Sequence, residues 1–141
     1  MDELTGTASA NVLQGYGGAD VLRGGAGADT LEGGLGTDTA SYYEGSVGVT
    51  VSLDTGKGST GDAEGDTLSG IETLSGSQGH DVLTGDAGGN TLQGWNGNDT
   101  LIGNALYTGV AGQLRFASTA PASPPSPATS TATRSATFTS S

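Results

Sequence analysis

An acidic or amide side chain returns every ninth residue at Asp2, Asn11, Asp20, Asp29 and Asp38, and the same beat resumes at Asp81, Asn90 and Asp99. Each offers a hard oxygen. The chemistry that uses such donors in series is cation holding, since calcium takes roughly six to eight oxygen ligands at about 2.3–2.6 Å from carboxylates and backbone carbonyls. Carboxylates at uniform spacing point to a metal ladder, whereas general acid–base work needs two carboxyl groups in unlike environments. Two places after these markers comes a leucine, at Leu4, Leu13, Leu22, Leu31, Leu83, Leu92 and Leu101, with Ala40 in the slot after Asp38. Glu72 and Leu74 fall in the same register, and Asp66 with Leu68 leads in six residues earlier.

Between the markers the chain is mostly glycine, and Gly24-Gly25-Ala26-Gly27-Ala28-Asp29-Thr30-Leu31-Glu32 is a complete copy of the unit. Glycine lets the backbone turn with positive φ and brings carbonyl oxygens together with no Cβ in the way. Positions seven to nine alternate as a short strand whose middle residue points inward. Turn plus strand uses one unit, so two units close a coil and residues eighteen apart stack directly. Asp2 then lies under Asp20 and Asp38 on one edge and Asn11 under Asp29 on the other, while Asp81 pairs with Asp99 and Glu72 with Asn90. Carboxylates one strand spacing apart, about 5 Å, repel by about 0.8 kcal/mol in water and by several times more in a partly desolvated turn. A divalent cation between them reverses the sign. A unit with one inward leucine cannot bury it alone, so the repeats must stack to form a core.

These residues closely resemble the RTX (repeats-in-toxin) nonapeptide, GGxGxDxUx, over roughly residues 2 to 103. The resemblance implies an all-β fold, a right-handed parallel β-roll (β-solenoid) with calcium in the turns, each ion held between successive turns by the aspartate and by turn carbonyls. Carried over by position, the implied aspartate ligands are Asp20, Asp29, Asp38, Asp81 and Asp99, with Asp2 and Asp66 at block edges. The implied turn glycines are Gly15, Gly18, Gly24, Gly25, Gly27, Gly33, Gly34, Gly36, Gly76, Gly79, Gly85, Gly94 and Gly97. Asn11 and Asn90 depart from the pattern; each keeps an amide oxygen but brings no charge, which implies weaker sites. Tyr16 and Trp95 stand where the second glycine belongs and Glu64 where the fourth does.

Charge agrees with this and excludes some partners. The 141 residues carry a formal net charge of −11, and all fifteen acidic residues lie at or before Asp99. Nucleic acid and anionic membrane surfaces reward basic patches, so neither is an expected partner. No run of about twenty apolar residues exists to span a bilayer. Met1-Asp2-Glu3-Leu4 is neither basic nor apolar enough for a secretory signal, and the chain has no cysteine. One leucine per nine residues offsets little of the entropy lost in ordering so glycine-rich a chain, which makes calcium binding part of the folding free energy.

The expected organisation is one continuous roll over residues 1–103, with repeat blocks 1–41 and 61–103 around an insert at 42–60. In the insert Val47-Gly48-Val49-Thr50-Val51-Ser52-Leu53 alternates as a strand with one buried face, and the whole segment is expected to form one wider coil of the stack, with Ile71 and Leu74 in the same core. Residues 104–116 make a candidate cap from Leu106-Tyr107 and Leu114-Arg115-Phe116. From Ala117 to Ser141, 23 of 25 residues are Ala, Ser, Thr or Pro, a composition that cannot bury enough apolar surface to order itself and reads as a disordered tail. His80 is read as a solvated turn residue and Trp95 as a turn-edge contact.

The expected function is a calcium-binding RTX module, a non-enzyme and a monomer, secreted by a bacterium through a type I secretion system that the resemblance implies. Since Met1 falls inside a repeat, the expected whole is a larger secreted protein of which this is the C-terminal part. The alternatives are the repeat portion of a secreted enzyme (protease, lipase or alginate epimerase) and a structural or adhesive surface protein.

Overall fold

The computed structural model describes residues 1–103 together with the strands at 114–117 and 136–140. The strands are short, and those of the two repeat blocks that centre on Leu4, Leu13, Leu22, Leu31, Ala40, Leu68, Leu74, Leu83, Leu92 and Leu101 follow the leucine register: β1 (Glu3–Thr5), β2 (Val12–Gln14), β3 (Gly17–Gly18), β4 (Val21–Arg23), β5 (Thr30–Glu32), β6 (Leu35–Gly36), β7 (Thr39–Ser41), β8 (Thr50–Ser52), β9 (Lys57–Ser59), β10 (Thr67–Ser69), β11 (Thr73–Ser75), β12 (Val82–Thr84), β13 (Asn90–Gln93), β14 (Asp99–Gly103), β15 (Leu114–Ala117) and β16 (Ala136–Ser140). Successive strands alternate between two main sheets, except that β8, β9 and β10 share one of them and that β3 and β6 pair with each other in a separate two-stranded sheet. One sheet runs β1-β4-β7-β11-β13-β15 and the other β16-β14-β12-β8-β9-β10-β5-β2.

Pairing within each block is parallel and in the eighteen-residue register, with Leu4 opposite Leu22, Leu13 opposite Leu31, Leu74 opposite Leu92 and Leu83 opposite Leu101. The inward residues meet between the sheets, where Leu22, Leu31, Ala40, Leu74, Leu83, Leu92 and Leu101 form one core. Each leucine removed from water contributes about 1.5–3 kcal/mol. Leu4 and Leu13, in the first coil, are only partly buried against that core. This is a parallel β-roll.

In the insert the coil is widened by a hairpin. In the first sheet Ala40 pairs directly with Leu74, so β7 and β11 are neighbours. In the second, β8 and β9 form an antiparallel hairpin that sits between β12 and β10. That sheet therefore carries three strands where regular alternation would place one, about 10 Å of extra width at the sheet spacing. Tyr42, Val49, Ala63 and Ile71 are buried there and fill the widened interior. The strand expected over Val47–Leu53 is confined to Thr50–Ser52, and Val47 is 61 % exposed because the chain is still turning there.

At the far end β15 pairs parallel with β13, with Phe116 in register with Leu92. Leu106-Tyr107 lies outside the described residues. Within the tail, Ala136–Ser140 pairs antiparallel with β14, whose backbone edge offers partners to any extended segment. The rest of the tail is outside the described residues. Among the described residues no helix is long and apolar enough to cross a membrane.

Candidate calcium site

Each nonapeptide turn ends at position six, where the next strand begins, so the aspartates line the two edges of the roll. On one edge the Asp2 amide donates to Asp20 Oδ1 (2.6 Å), the Asp20 amide to Asp38 Oδ1 (2.8 Å) and the Asp38 amide to Glu72 Oε2 (2.8 Å). On the other, Asn11 donates to Asp29 Oδ1 (2.8 Å) and Asp29 to Asp66 Oδ1 (2.7 Å). Beyond the insert, Val49 donates to Asp81 Oδ1 (2.8 Å) and Asp81 to Asp99 Oδ1 (2.9 Å). One carboxylate oxygen of every stacked aspartate thus binds the position-six amide of the preceding coil. The first edge runs unbroken across the insert because Glu72, one methylene longer than aspartate, reaches Asp38.

The other oxygen distinguishes the aspartates. Asp20, Asp29, Asp38 and Asp99 are at most 1 % exposed, and Oδ2 of each is buried with no hydrogen-bond partner. A buried acceptor left unmade costs about 1–3 kcal/mol, and more when charged. Asp66 and Asp81 are as buried but engaged at both oxygens, since Asp66 Oδ2 accepts from the Tyr42 hydroxyl (2.9 Å) and Asp81 Oδ2 from the Ser77 amide (2.9 Å). Asp2 is exposed in the first coil, and Asn11 and Asn90 are half-buried.

Burial sets the electrostatics. It pushes the Asp29 and Asp81 carboxyls above their usual range, and those of Asp66 and Asp99 up to about 6. The Tyr42 hydroxyl is raised well above its ordinary value by burial and then by the Asp66 charge. Concentrated, desolvated negative charge with vacant oxygens is what a hard divalent cation stabilises. No three His, Cys, Asp or Glu side chains converge among the described residues. A cation at these turns therefore takes part of its shell from backbone carbonyls, which calcium accepts readily. The donor set fits the ion.

The glycines bring the turns close enough for this. Gly15, Gly24, Gly33, Gly76 and Gly94 lie against the carboxylate of their own repeat, and Gly85 against the Asn90 oxygen, where a Cβ would overlap it. Gly25, Gly27, Gly34, Gly36 and Gly97 stack on the backbone of the coil before, and Gly79 packs on Gly48. Gly18 adopts φ 121° beside Asp20. Tyr16 and Trp95, the departures at the second position, take φ 66° and 64° like the glycines they replace. Such strain costs about 1–3 kcal/mol for a non-glycine residue.

Sequence reasoning passed over three contributors. Glu72 was legible only as a register marker, not as a side-chain acceptor. Ser77 stands at a second position that attention to glycine ignores, and nothing in the spacing pairs Tyr42 with Asp66. His80 is exposed, as expected, and its Nδ1 accepts from the Asn98 amide (2.6 Å). Trp95 makes an edge-to-face contact with Tyr43 at 5.0 Å and donates Nε1–H to Ser75 Oγ (2.7 Å), a turn-edge role.

Comparison with known proteins agrees with this geometry. The family model described as RTX calcium-binding nonapeptide repeat matches four copies, over residues 5–40 and 66–101. No curated protein and no solved structure matches the chain. The matched segments cover just over half of the 141 residues and coincide with the two stacked blocks. The chain belongs to the RTX calcium-binding nonapeptide repeat family, whose repeats bind Ca²⁺ in their turns.

Proposed function

We propose that this chain is a non-catalytic calcium-binding module that folds as it takes up the ion outside the cell. The observation that carries the reading is the row of buried Oδ2 atoms at Asp20, Asp29, Asp38 and Asp99, all without a protein donor. These four aspartates hold calcium, with the glycine turns of adjacent coils supplying carbonyl oxygens. Bound calcium contributes positive charge where the fold has concentrated negative charge. The chain's own part is to fix one oxygen of each carboxylate on the neighbouring coil's amide, which aims the other at the ion. The unit that does this is the continuous stack over residues 1–103, crossed by the β7–β11 pairing.

Affinity in the extracellular range, about 10⁻⁴–10⁻³ M, suits a module that stays loose in a low-calcium cytosol and orders after export. Membership of the repeat family supports secretion by a bacterium through a type I system, and the acidic repeat surface favours a monomer in solution. Equilibrium dialysis against CaCl₂ tests the reading. Saturable uptake of several ions is expected in that concentration range, with MgCl₂ competing poorly because magnesium demands a tighter octahedron. A chain that takes up no calcium at 10 mM, or binds both ions alike, overturns it.

A further inference from the structure

We propose that the residue at the second position of each nonapeptide decides whether its turn accepts calcium, so that the repeats divide into open turns that hold the ion and closed turns that hold themselves. The inference rests on the calcium-binding reading above.

Two backbone states exist among the repeats. In the turns that end at Asp20, Asp29, Asp38 and Asp99 the second residue has φ of 66° (Tyr16), 89° (Gly25), 102° (Gly34) and 64° (Trp95). The fourth residue is left-handed as well, at Gly18, Gly27, Gly36 and Gly97. All four of these turns carry the buried, partnerless Oδ2. In the turns that end at Asn11, Asp81 and Asn90 neither the second nor the fourth residue is left-handed. There the second residue's amide donates to the position-six side chain: Thr7 to Asn11 Oδ1 (2.7 Å), Ser77 to Asp81 Oδ2 (2.9 Å) and Asp86 to Asn90 Oδ1 (2.8 Å).

The side chain at the second position fixes the choice. Thr7 Oγ1, Ser77 Oγ and Asp86 Oδ1 each accept the amide of the residue two places on, at 3.2, 3.0 and 2.7 Å. Short side chains with an oxygen form such local bonds readily and hold the backbone in its ordinary region. Glycine forms none and enters the left-handed region without cost. Tyrosine and tryptophan also lack an acceptor that reaches back, and at Tyr16 and Trp95 the stack holds them in a conformation they rarely adopt. A strained non-glycine residue retained in the open state is the pattern expected where the conformation serves a function.

In a closed turn the second residue's amide occupies the oxygen that an open turn leaves vacant. Asp81 shows this most fully, because the Ser77 hydroxyl adds a bond to Oδ1 (2.7 Å). Its charge is met by protein donors, and a cation there would have to displace them. The turn at Asp66 reaches the same end with the Tyr42 hydroxyl. Calcium is thus confined to four aspartates, three in the first block and one beyond the insert, while the acceptors of the closed turns and of Asp66 are met by protein donors.

The test is a calcium count by equilibrium dialysis on the full chain, using CaCl₂ with Asp99→Asn, Asp81→Asn and Ser77→Gly variants. Asp81 and Asp99 stack on one edge, so their environments are matched. Asp99→Asn is expected to lose one equivalent of calcium, Asp81→Asn to keep the parent's count, and Ser77→Gly to gain one because its turn is released to open. The Ser77→Gly arm holds if Asp99→Asn fails to fold, since it reads a gain. Loss of an equivalent in Asp81→Asn, or an unchanged count in Ser77→Gly, overturns the inference while leaving the parent's calcium binding intact. A parent that binds no calcium removes the proposed function and this inference together.

Discussion

Asp38 carries two separable jobs, and paired substitutions pull them apart. Its Oδ1 accepts the Asp20 amide at 2.8 Å, and its Oδ2 is buried and vacant. Asp38→Asn keeps an oxygen for that amide but removes the charge, whereas Asp38→Ala removes both. The ion's contribution to stability, for about 5 mM free calcium and a site near 10⁻⁴ M, is RT ln(1 + [L]/Kd), or about 2 kcal/mol. Losing the acceptor strands the Asp20 amide inside the stack, which adds about 1–3 kcal/mol. Asp38→Asn should therefore cost about 2 kcal/mol and Asp38→Ala about 3–5 kcal/mol, read from urea unfolding in 5 mM CaCl₂. Equal costs for the two variants would show that the inter-coil bond contributes nothing. Parent-like stability of Asp38→Asn would show that no ion depends on this carboxylate.

Other consequences follow from the same geometry. Tyr42→Phe leaves buried Asp66 Oδ2 without its donor and should cost about 1–3 kcal/mol in the same urea assay. Tyr16 is 76 % exposed and left-handed, so Tyr16→Gly should stabilise the calcium-loaded chain by about 1 kcal/mol, the relief of strain less the entropy glycine brings to the unfolded state; a loss of stability would contradict this. Because burial raises the Asp66 and Asp99 carboxyls to about 6, their contribution to the metal-free fold is full below the unfolded value near 4 and is lost as pH rises through 6. Calcium-free chain should accordingly gain β signal in circular dichroism on going from pH 7 to pH 4, and the calcium midpoint should rise as protons compete; a metal-free chain that loses structure over that window would refute the assignment.

The repeat register was legible because one inward leucine per nine residues admits a single stacking period, and the eighteen-residue pairs Leu4–Leu22, Leu13–Leu31 and Leu83–Leu101 follow from it directly. The insert was not, since its strands are three residues long and the second, Lys57–Ser59, has glycine at its centre. An alternation of valines at 47, 49 and 51 reads as one strand, yet only its later half pairs, and Val49 instead takes a position-six place by donating to Asp81. Tyr16 and Trp95 depart from the glycine pattern, and aromatic residues resist positive φ. Stacking overrides that preference, for the Tyr16 carbonyl accepts the Leu35 amide of the next coil on its edge at 2.9 Å. The difference between Asp81 and Asp99 was present in the sequence, in Ser77 against Trp95, but it lies in local hydrogen bonding that a search for glycines does not weigh.

The central claim is that calcium completes this fold, and far-UV circular dichroism of the full chain under a calcium titration tests it most directly. With calcium removed by chelator, the vacant carboxylates of Asp20, Asp29, Asp38 and Asp99 oppose stacking, and the spectrum should be that of a largely unfolded chain. Calcium added to about 10⁻⁴–10⁻³ M should then produce β signal in one cooperative transition that magnesium does not reproduce. A chain with its full β signal in excess chelator would contradict the account.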